Sequence, residues 1–132
     1  MANNYTEASF LFPVPKGGKE RALAVLSAAA TELEDGEDGY YGFDADWDEH
    51  GPGVWIRHDE SLDVEHAVYL VQRLMKEFSV QEPFAFCWAA TCSKPRLDEF
   101  GGGAVVVTQD DAHYMNTWTC AKDTINQIKN GK

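Results

Sequence analysis

The sequence lacks long hydrophobic runs and a basic leader. Its apolar runs stay short, as at 22–26, and none approaches the roughly 20 residues that a membrane-spanning helix needs. Residues 1–6 are polar and are not followed by the basic and apolar regions of a secretory signal. The sequence therefore predicts neither a membrane span nor secretion, and it favours a cytoplasmic protein.

Cysteine is scarce, and its pattern excludes a disulfide framework. The three cysteines, Cys87, Cys92 and Cys120, cannot all pair within one chain, and no C-x-x-C motif is present. We therefore predict free thiols, as in a reducing compartment. Lys94 and Arg96 near Cys92 would favour a reactive thiolate. No histidine follows closely in sequence to act as a base, so a structural thiol is the preferred interpretation.

Basic residues are almost absent from one quarter of the chain. Residues 32–65 hold thirteen acids and a single base, Arg57, whereas the remaining residues nearly balance to a net charge of +1. The total is −11 over 132 residues. Such a field repels nucleic-acid backbones and anionic membranes and attracts basic protein surfaces. The predicted partner is therefore a basic protein surface, with no direct nucleic acid, no membrane and an open oligomeric state.

The order of predicted elements indicates one α+β domain over residues 1–132. A hydrophobic content of 44% supplies enough apolar residues for one core. The spacing predicts a ferredoxin-like βαββαβ core with an extra strand and a C-terminal helix, in a mainly antiparallel sheet with the helices on one face. Strands are expected at 8–14, 40–48, 54–58, 84–92 and 104–108, and helices at 19–34, 61–79 and 109–130.

Four local signals refine this assignment. Ser61 is expected to cap the second helix, and Thr108 with Asp111 matches the capping box of the third. The strand at 84–92 is apolar on both faces, which predicts a central, buried strand. The first helix is expected to bury four residues at helical spacing, and the core to contain five others. The helix residues are Leu23, Leu26, Ala30 and Leu33, and the core residues are Val68, Val71, Leu74, Phe86 and Trp88.

Three aspartates alternate with apolar residues in the most acidic segment. Asp44, Asp46 and Asp48 would occupy one face of a strand and leave the other face to Tyr41, Phe43, Ala45 and Trp47. Three interpretations remain open: a solvated sheet face, a protein-binding face that imitates phosphates, and a loose cation site. An EF-hand is excluded because Glu49 and Trp55 occupy its glycine and glutamate positions. No metal or cofactor is assigned.

A partner-binding surface would combine this column with neighbouring acids. Its eight candidate residues are Glu34, Asp35, Glu37, Asp38, Asp44, Asp46, Asp48 and Glu49. The alternative site is the loop 93–103, which is longer than a usual hairpin connection. That loop carries Lys94, Arg96 and Phe100. Its three glycines precede a strand rather than a helix, so they do not form a phosphate-binding loop.

One segment adds a resemblance. The stretches TCSKPR at 91–96 and EFGGGA at 99–104 resemble small proteins of bacteria, their plasmids and phages. The resemblance implies a mobile-element setting, in which small acidic proteins inhibit host defences as DNA mimics or anti-CRISPR proteins do. It supplies no catalytic residues. The leading hypothesis is thus an inhibitor of a basic, nucleic-acid-handling host protein. The rivals are a small-molecule-binding or enzymatic domain with its site at 93–103, and an oligomer that pairs through a sheet edge.

Overall fold

Alternating apolar and polar residues place six strands in one antiparallel sheet, in the order β2-β3-β1-β4-β5-β6. The structure is a computed structural model and describes residues 4–35, 42–94 and 100–131. The strands are β1 Asn4–Pro13, β2 Asp44–Asp48, β3 Gly53–His58, β4 Phe84–Cys92, β5 Gly101–Val107 and β6 Ala112–Asn116. The helices are α1 Lys19–Glu34, α2 Val64–Glu77 and α3 Thr117–Lys129, with one 3₁₀ turn at Lys16–Gly18. The α+β class is confirmed.

The helices α1 and α2 pack side by side on one face of the sheet and form the core with it. In α2, apolar residues at helical spacing are buried, including the predicted Val68, Val71 and Leu74. The strands contribute Phe12, Val54, Ile56, Phe86, Val105 and Val107. In α1 the buried residues are Ala22, Val25 and Ala29, while Leu26 and Leu33 are half-buried and Leu23 is exposed. The predicted stripe of α1 was therefore one residue out of phase at Leu23.

Strand β1 joins two halves of the sheet. Residues 4–7 pair with the end of β4, and residues 8–13 pair with β3. On the helix side, the Phe10 ring stacks on Phe86 with centroids 4.1 Å apart, and Phe12 meets Phe84 edge-on at 5.0 Å. These aromatic contacts hold β1 to β4 beyond their hydrogen-bonded section.

Helix α2 is capped by Asp63 rather than by the predicted cap, Ser61. The Asp63 carboxylate accepts a hydrogen bond from the His66 backbone N–H at 3.1 Å, and the Asp63 N–H donates to the Gly42 carbonyl. Ser61 instead forms a parallel bridge with Thr6. The prediction failed because Ser and Asp are both good N-caps. The bridge to β1 holds Ser61 in extended backbone, so Asp63, two residues later, caps the helix.

The long C-terminal helix predicted at 109–130 was wrong over its first third. The Thr108 hydroxyl accepts the Asp111 N–H at 3.0 Å, and the Thr108 N–H donates to the Asp111 carbonyl at 2.9 Å. These contacts close the hairpin between β5 and β6, so a capping-box pattern forms a tight turn here. Helix α3 begins only at Thr117, where the Asn116 side chain accepts the N–H groups of the first turn.

Burial of β4 on both faces was also wrong. Phe86 is buried and Trp88 half-buried on the helix side, but Ala85, Cys87 and Ala89 are exposed on the other. Helices α1 and α2 both lie on one face of the sheet, so the other face of β4 is uncovered. The apolar run continues there because the exposed residues are small. We call the side of the sheet opposite these helices the open face.

Candidate functional site

The aspartate column lies at one edge of the sheet, on the open face. Strand β2 is the edge strand, and Asp44 and Asp46 are exposed while Asp48 is half-buried. In the register with β3, Asp44 lies opposite Arg57 and Asp46 opposite Trp55. Phe43 is buried on the helix side, and Ala45 and Trp47 pack against the same core, whereas Tyr41 lies outside the described residues.

Two of the three aspartates have partners within the chain. Asp46 Oδ2 lies 2.5 Å from Arg57 Nη2. Asp48 Oδ1 accepts the His50 N–H at 2.8 Å and so holds the turn into β3. Asp44 has no hydrogen-bond or ion-pair partner within the described residues. The column is therefore less negative than three free carboxylates, and Asp44 is its most available group.

Trp55 and Arg57 form a layered contact beside this column. The Arg57 guanidinium lies 3.9 Å from the centre of the Trp55 ring, and Trp55 Nε1–H donates to Ser9 Oγ at 2.8 Å. Arg57 is thus held between an aromatic face and the Asp46 carboxylate. Trp55 remains 42% exposed, which leaves part of the indole open to a partner.

A shallow cleft of about 520 Å³ opens on this part of the open face. Three carboxylates and one guanidinium line it together with the Trp55 indole, so its local charge is negative. The lining residues are Glu7, Ala8, Ser9, Asp44, Trp55, Arg57, His58 and Asp59. An exposed aromatic ring among carboxylates suits the cationic side chain of a lysine or arginine. A second cleft of about 310 Å³, between α1 and β2, shares Asp44 and Arg57 with the first cleft and is also lined by Asp46.

The remaining predicted acids are placed unevenly. Glu34 and Asp35 are exposed at the end of α1, while Glu37 and Asp38 lie outside the described residues. Glu49 lies just beyond β2, and its Oε1 is 2.9 Å from Lys19 Nζ. This ammonium group holds the pKa of Glu49 below its usual range. Glu49 therefore contributes less free charge than the sequence suggests.

The alternative site at 93–103 has little chemistry within the described residues. Lys94 and Phe100 are exposed, and Arg96 lies outside the described residues. A cleft of about 240 Å³ opens near Phe100, where Trp118 Nε1–H donates to the Phe100 carbonyl at 3.2 Å. Among the described residues, its lining includes no carboxylate, imidazole, ammonium or guanidinium group. The triglycine belongs to β5 rather than to a loop.

The chain was compared with known proteins. No protein-family model, curated protein or solved structure matches it. Within the described residues, no three His, Cys, Asp or Glu side chains are grouped closely enough to hold a metal ion. No helix in that part of the chain is long and apolar enough to cross a membrane.

Sequence reasoning missed the central role of Trp55 and Arg57. The signal was present, because the Gly51-Pro52-Gly53 turn fixes the hairpin register and places both residues opposite the aspartates. This register places Arg57 beside the aspartate column, where its guanidinium neutralises part of the column's negative charge.

The cysteines give a first testable prediction. All three are free, with Cys87 and Cys120 exposed and Cys92 half-buried. We expect two thiols to react quickly with a colorimetric disulfide reagent and the Cys92 thiol to react more slowly, because access limits thiolate attack. Cys92→Ser should abolish the slow phase and leave partner binding unchanged. Rapid modification of Cys92 accompanied by loss of binding would contradict this assignment and favour a thiol-dependent activity.

Proposed function

We propose that this protein binds a basic protein surface through the β2–β3 edge of its open face. One observation carries the proposal: Asp44 and the partly exposed Trp55 border one cleft, whose carboxylates outnumber its single guanidinium. A cation entering there would gain charge-assisted hydrogen bonds and an aromatic contact. Asp46 and Asp48 stay at the same edge and extend the negative field along β2.

The electrostatics favour recognition and fast association over catalysis. Exposed charges steer a partner of opposite charge and raise the association rate, and salt screens this effect. Asp46 already pairs with Arg57, so a strict imitation of a phosphate backbone has less support than a general acidic surface. A basic partner would have to compete with Arg57 or bind beside it.

The biological setting we propose is inhibition of a nucleic-acid-handling host protein by a phage or mobile-element protein. Its support is the resemblance of the segments at 91–96 and 99–104, together with the acidic excess of the chain. A protein that handles nucleic acid presents basic surfaces of the kind this edge would contact. We also assign the first six elements to a ferredoxin-like arrangement, supported by the strand order β2-β3-β1-β4 with α1 and α2 packed together on one face.

The test of this proposal replaces Asp44, Asp46 and Asp48 by asparagine. The free energy of unfolding should change by no more than about 1 kcal/mol, because the exposed ion pair between Asp46 and Arg57 contributes little to stability. The Asp48→Asn change also keeps an oxygen that accepts the turn N–H groups. Tagged wild-type protein should retain proteins from a bacterial lysate at about 0.1 M salt and release them at about 1 M, where the Debye length falls from roughly 10 to 3 Å. The triple variant should retain none of them.

A matched control removes three charges elsewhere. Glu82→Gln, Asp110→Asn and Asp111→Asn alter exposed residues outside the cleft and outside β2. This control should retain the same proteins as wild type, and duplex DNA should displace them if they handle nucleic acid. Equal retention by the β2 variant would remove the acidic edge from the proposed function. An equal loss of retained proteins in both variants would mean that retention depends on the net charge of the protein and not on the position of the acids.

The second candidate function is a small-molecule-binding site near Phe100, favoured only by the cleft of about 240 Å³ there. Phe100→Ala should then abolish ligand-dependent thermal stabilisation in a metabolite screen. If no metabolite raises the melting temperature of the wild-type protein, this candidate loses its support.

A further inference from the structure

The C-terminal part of the chain exposes an unusual amount of apolar surface. Every residue from 113 to 131 is exposed, and α3 buries no residue at all. Eight large hydrophobic side chains are exposed within the described residues, and five of them belong to β6 and α3. Those five are Tyr114, Met115, Trp118, Ile125 and Ile128. Concentrated exposed apolar surface of this kind marks an interaction site.

Helix α3 has an apolar side on which no residue is buried in the described chain. Trp118, Ala121, Ile125 and Ile128 follow helical spacing along one side. Its first turn is tied to the body of the protein through the hydrogen bond from Trp118 Nε1–H to the Phe100 carbonyl. Isolated helices of about this length are marginal in water, so α3 needs tertiary or quaternary packing.

The two edges of the sheet differ in their protection against pairing. Edge strand β2 carries three aspartates, which oppose edge-to-edge association. Edge strand β6 has the sequence AHYMN, with no acid, lysine or proline. Its outer N–H and C=O groups form no ladder with another strand of the described chain. The β6 edge is therefore the one free to accept another strand.

The charge of this segment selects the partner. Residues 112–132 hold three lysines and one aspartate, a net charge of +2. The other 111 residues hold eight bases and twenty-one acids, a net charge of −13. A basic partner is disfavoured at this segment, whereas an acidic partner is attracted. Another copy of the chain carries such an acidic surface outside its own residues 112–132.

We infer that β6 and α3 form a homodimer interface in which two β6 strands pair antiparallel about a two-fold axis near Tyr114. Antiparallel pairing of identical edges is self-complementary, as a two-fold interface requires. The apolar side of each α3 packs against the other copy, with Lys122 and Lys129 near its acidic surface. The two β6 edges join into one sheet of twelve strands.

The composition of this surface suits a dimer interface. Strand β6 and helix α3 together supply 18 residues per copy. Standard interfaces use about 20–30 residues a side, with aromatic residues and methionine enriched and charged residues depleted at the centre. Tyr114, Met115 and Trp118 fit that composition, and the only acid of the segment is Asp123.

The test measures mass and dissociation of the full chain. Light scattering after size exclusion should give twice the 14.7 kDa chain mass for the wild type. Ile125→Asp with Ile128→Asp places two charges on the apolar side of α3, which touches none of the buried core. This double variant should raise the dimer dissociation constant at least about tenfold, because each new charge would have to lose its water in an apolar contact.

A matched control places the same two charges on the opposite side of the helix. Asn126→Asp with Gln127→Asp should leave the dissociation constant within about threefold of wild type. Hydrogen exchange adds a readout for the strand: outward amides of β6 should be protected in concentrated wild type and unprotected in the Ile125/Ile128 variant. A wild type that stays monomeric at every concentration overturns the proposal. Equal dissociation of both variants overturns the α3 contact, and unprotected β6 amides in a dimer overturn the strand pairing.

Discussion

Phe86→Ala should lower the free energy of unfolding by about 3–5 kcal/mol, the usual cost of removing a large aromatic side chain from a core. Phe86 is 5% exposed and stacks on Phe10 with ring centroids 4.1 Å apart. Its removal leaves a cavity at the point where β1 and β4 are held by side chains rather than by ladder hydrogen bonds. Urea denaturation followed by circular dichroism measures the change.

The control for this cavity is Phe100→Ala. Phe100 is the same residue type but is 45% exposed, so its truncation should change stability by no more than about 0.5 kcal/mol. A loss at Phe86 as small as the loss at Phe100 would mean that Phe10, Phe84 and Trp88 close the cavity. That outcome would remove the aromatic cluster as the element that joins the two halves of the sheet.

Gly102→Ala is expected to destabilise the protein by about 2–4 kcal/mol, from overpacking and from an unfavourable backbone conformation together. Gly102 has φ +150°, which side-chain-bearing residues rarely adopt. An added Cβ would lie 2.4 Å from the Trp88 carbonyl oxygen, a backbone atom that cannot move without disturbing the β4–β5 ladder. Thermal and urea unfolding should both register the loss.

Its neighbour provides the control within the same triglycine. A Cβ at Gly101 would meet the Thr117 hydroxyl at 3.2 Å, and a side chain can shift to admit it. Gly101→Ala should therefore cost less than about 1 kcal/mol. Equal losses of stability in the two variants would mean that the close approach of Gly102 to the Trp88 carbonyl does not decide the cost.

Elements with strong local periodicity were predictable from the sequence. Helix α2 and the hairpin of β2 and β3 form where their patterns predict them, because one apolar face was available to each, although α2 is capped by Asp63 and β2 begins only at Asp44. The outward direction of Asp44, Asp46 and Asp48 follows from the same alternation. Alternation within one strand does not reveal which residues lie opposite on the neighbouring strand. Here Arg57 of β3 lies opposite Asp44 and pairs with Asp46, which lowers the net negative charge of the three aspartates.

Errors arose where two structures shared one local signal. Thr108 and Asp111 have the spacing of a capping box, yet the same hydrogen bond closes a tight hairpin when a strand follows. Strand β6 lacks the β-branched residues that favour strands, and only its pairing with β5 defines it. Ala85, Cys87 and Ala89 on β4 were predicted to be buried because they are apolar. Composition alone does not reveal which face of the sheet the helices cover.

The position of β1 also constrains the order in which the chain folds. Asn4 pairs with Cys92, 88 residues later, so the hydrogen bonds between β1 and β4 can form only after the intervening helices and strands and β4 itself have been made. Contacts that are so distant in sequence slow folding, because a long loop must close before they form. During synthesis, the Phe10 ring cannot make its native contacts until Phe84 and Phe86 have been made. Until then it is exposed to non-native contacts. Slow synthesis should therefore favour misassembly of this chain more than that of a protein with only local strand pairs.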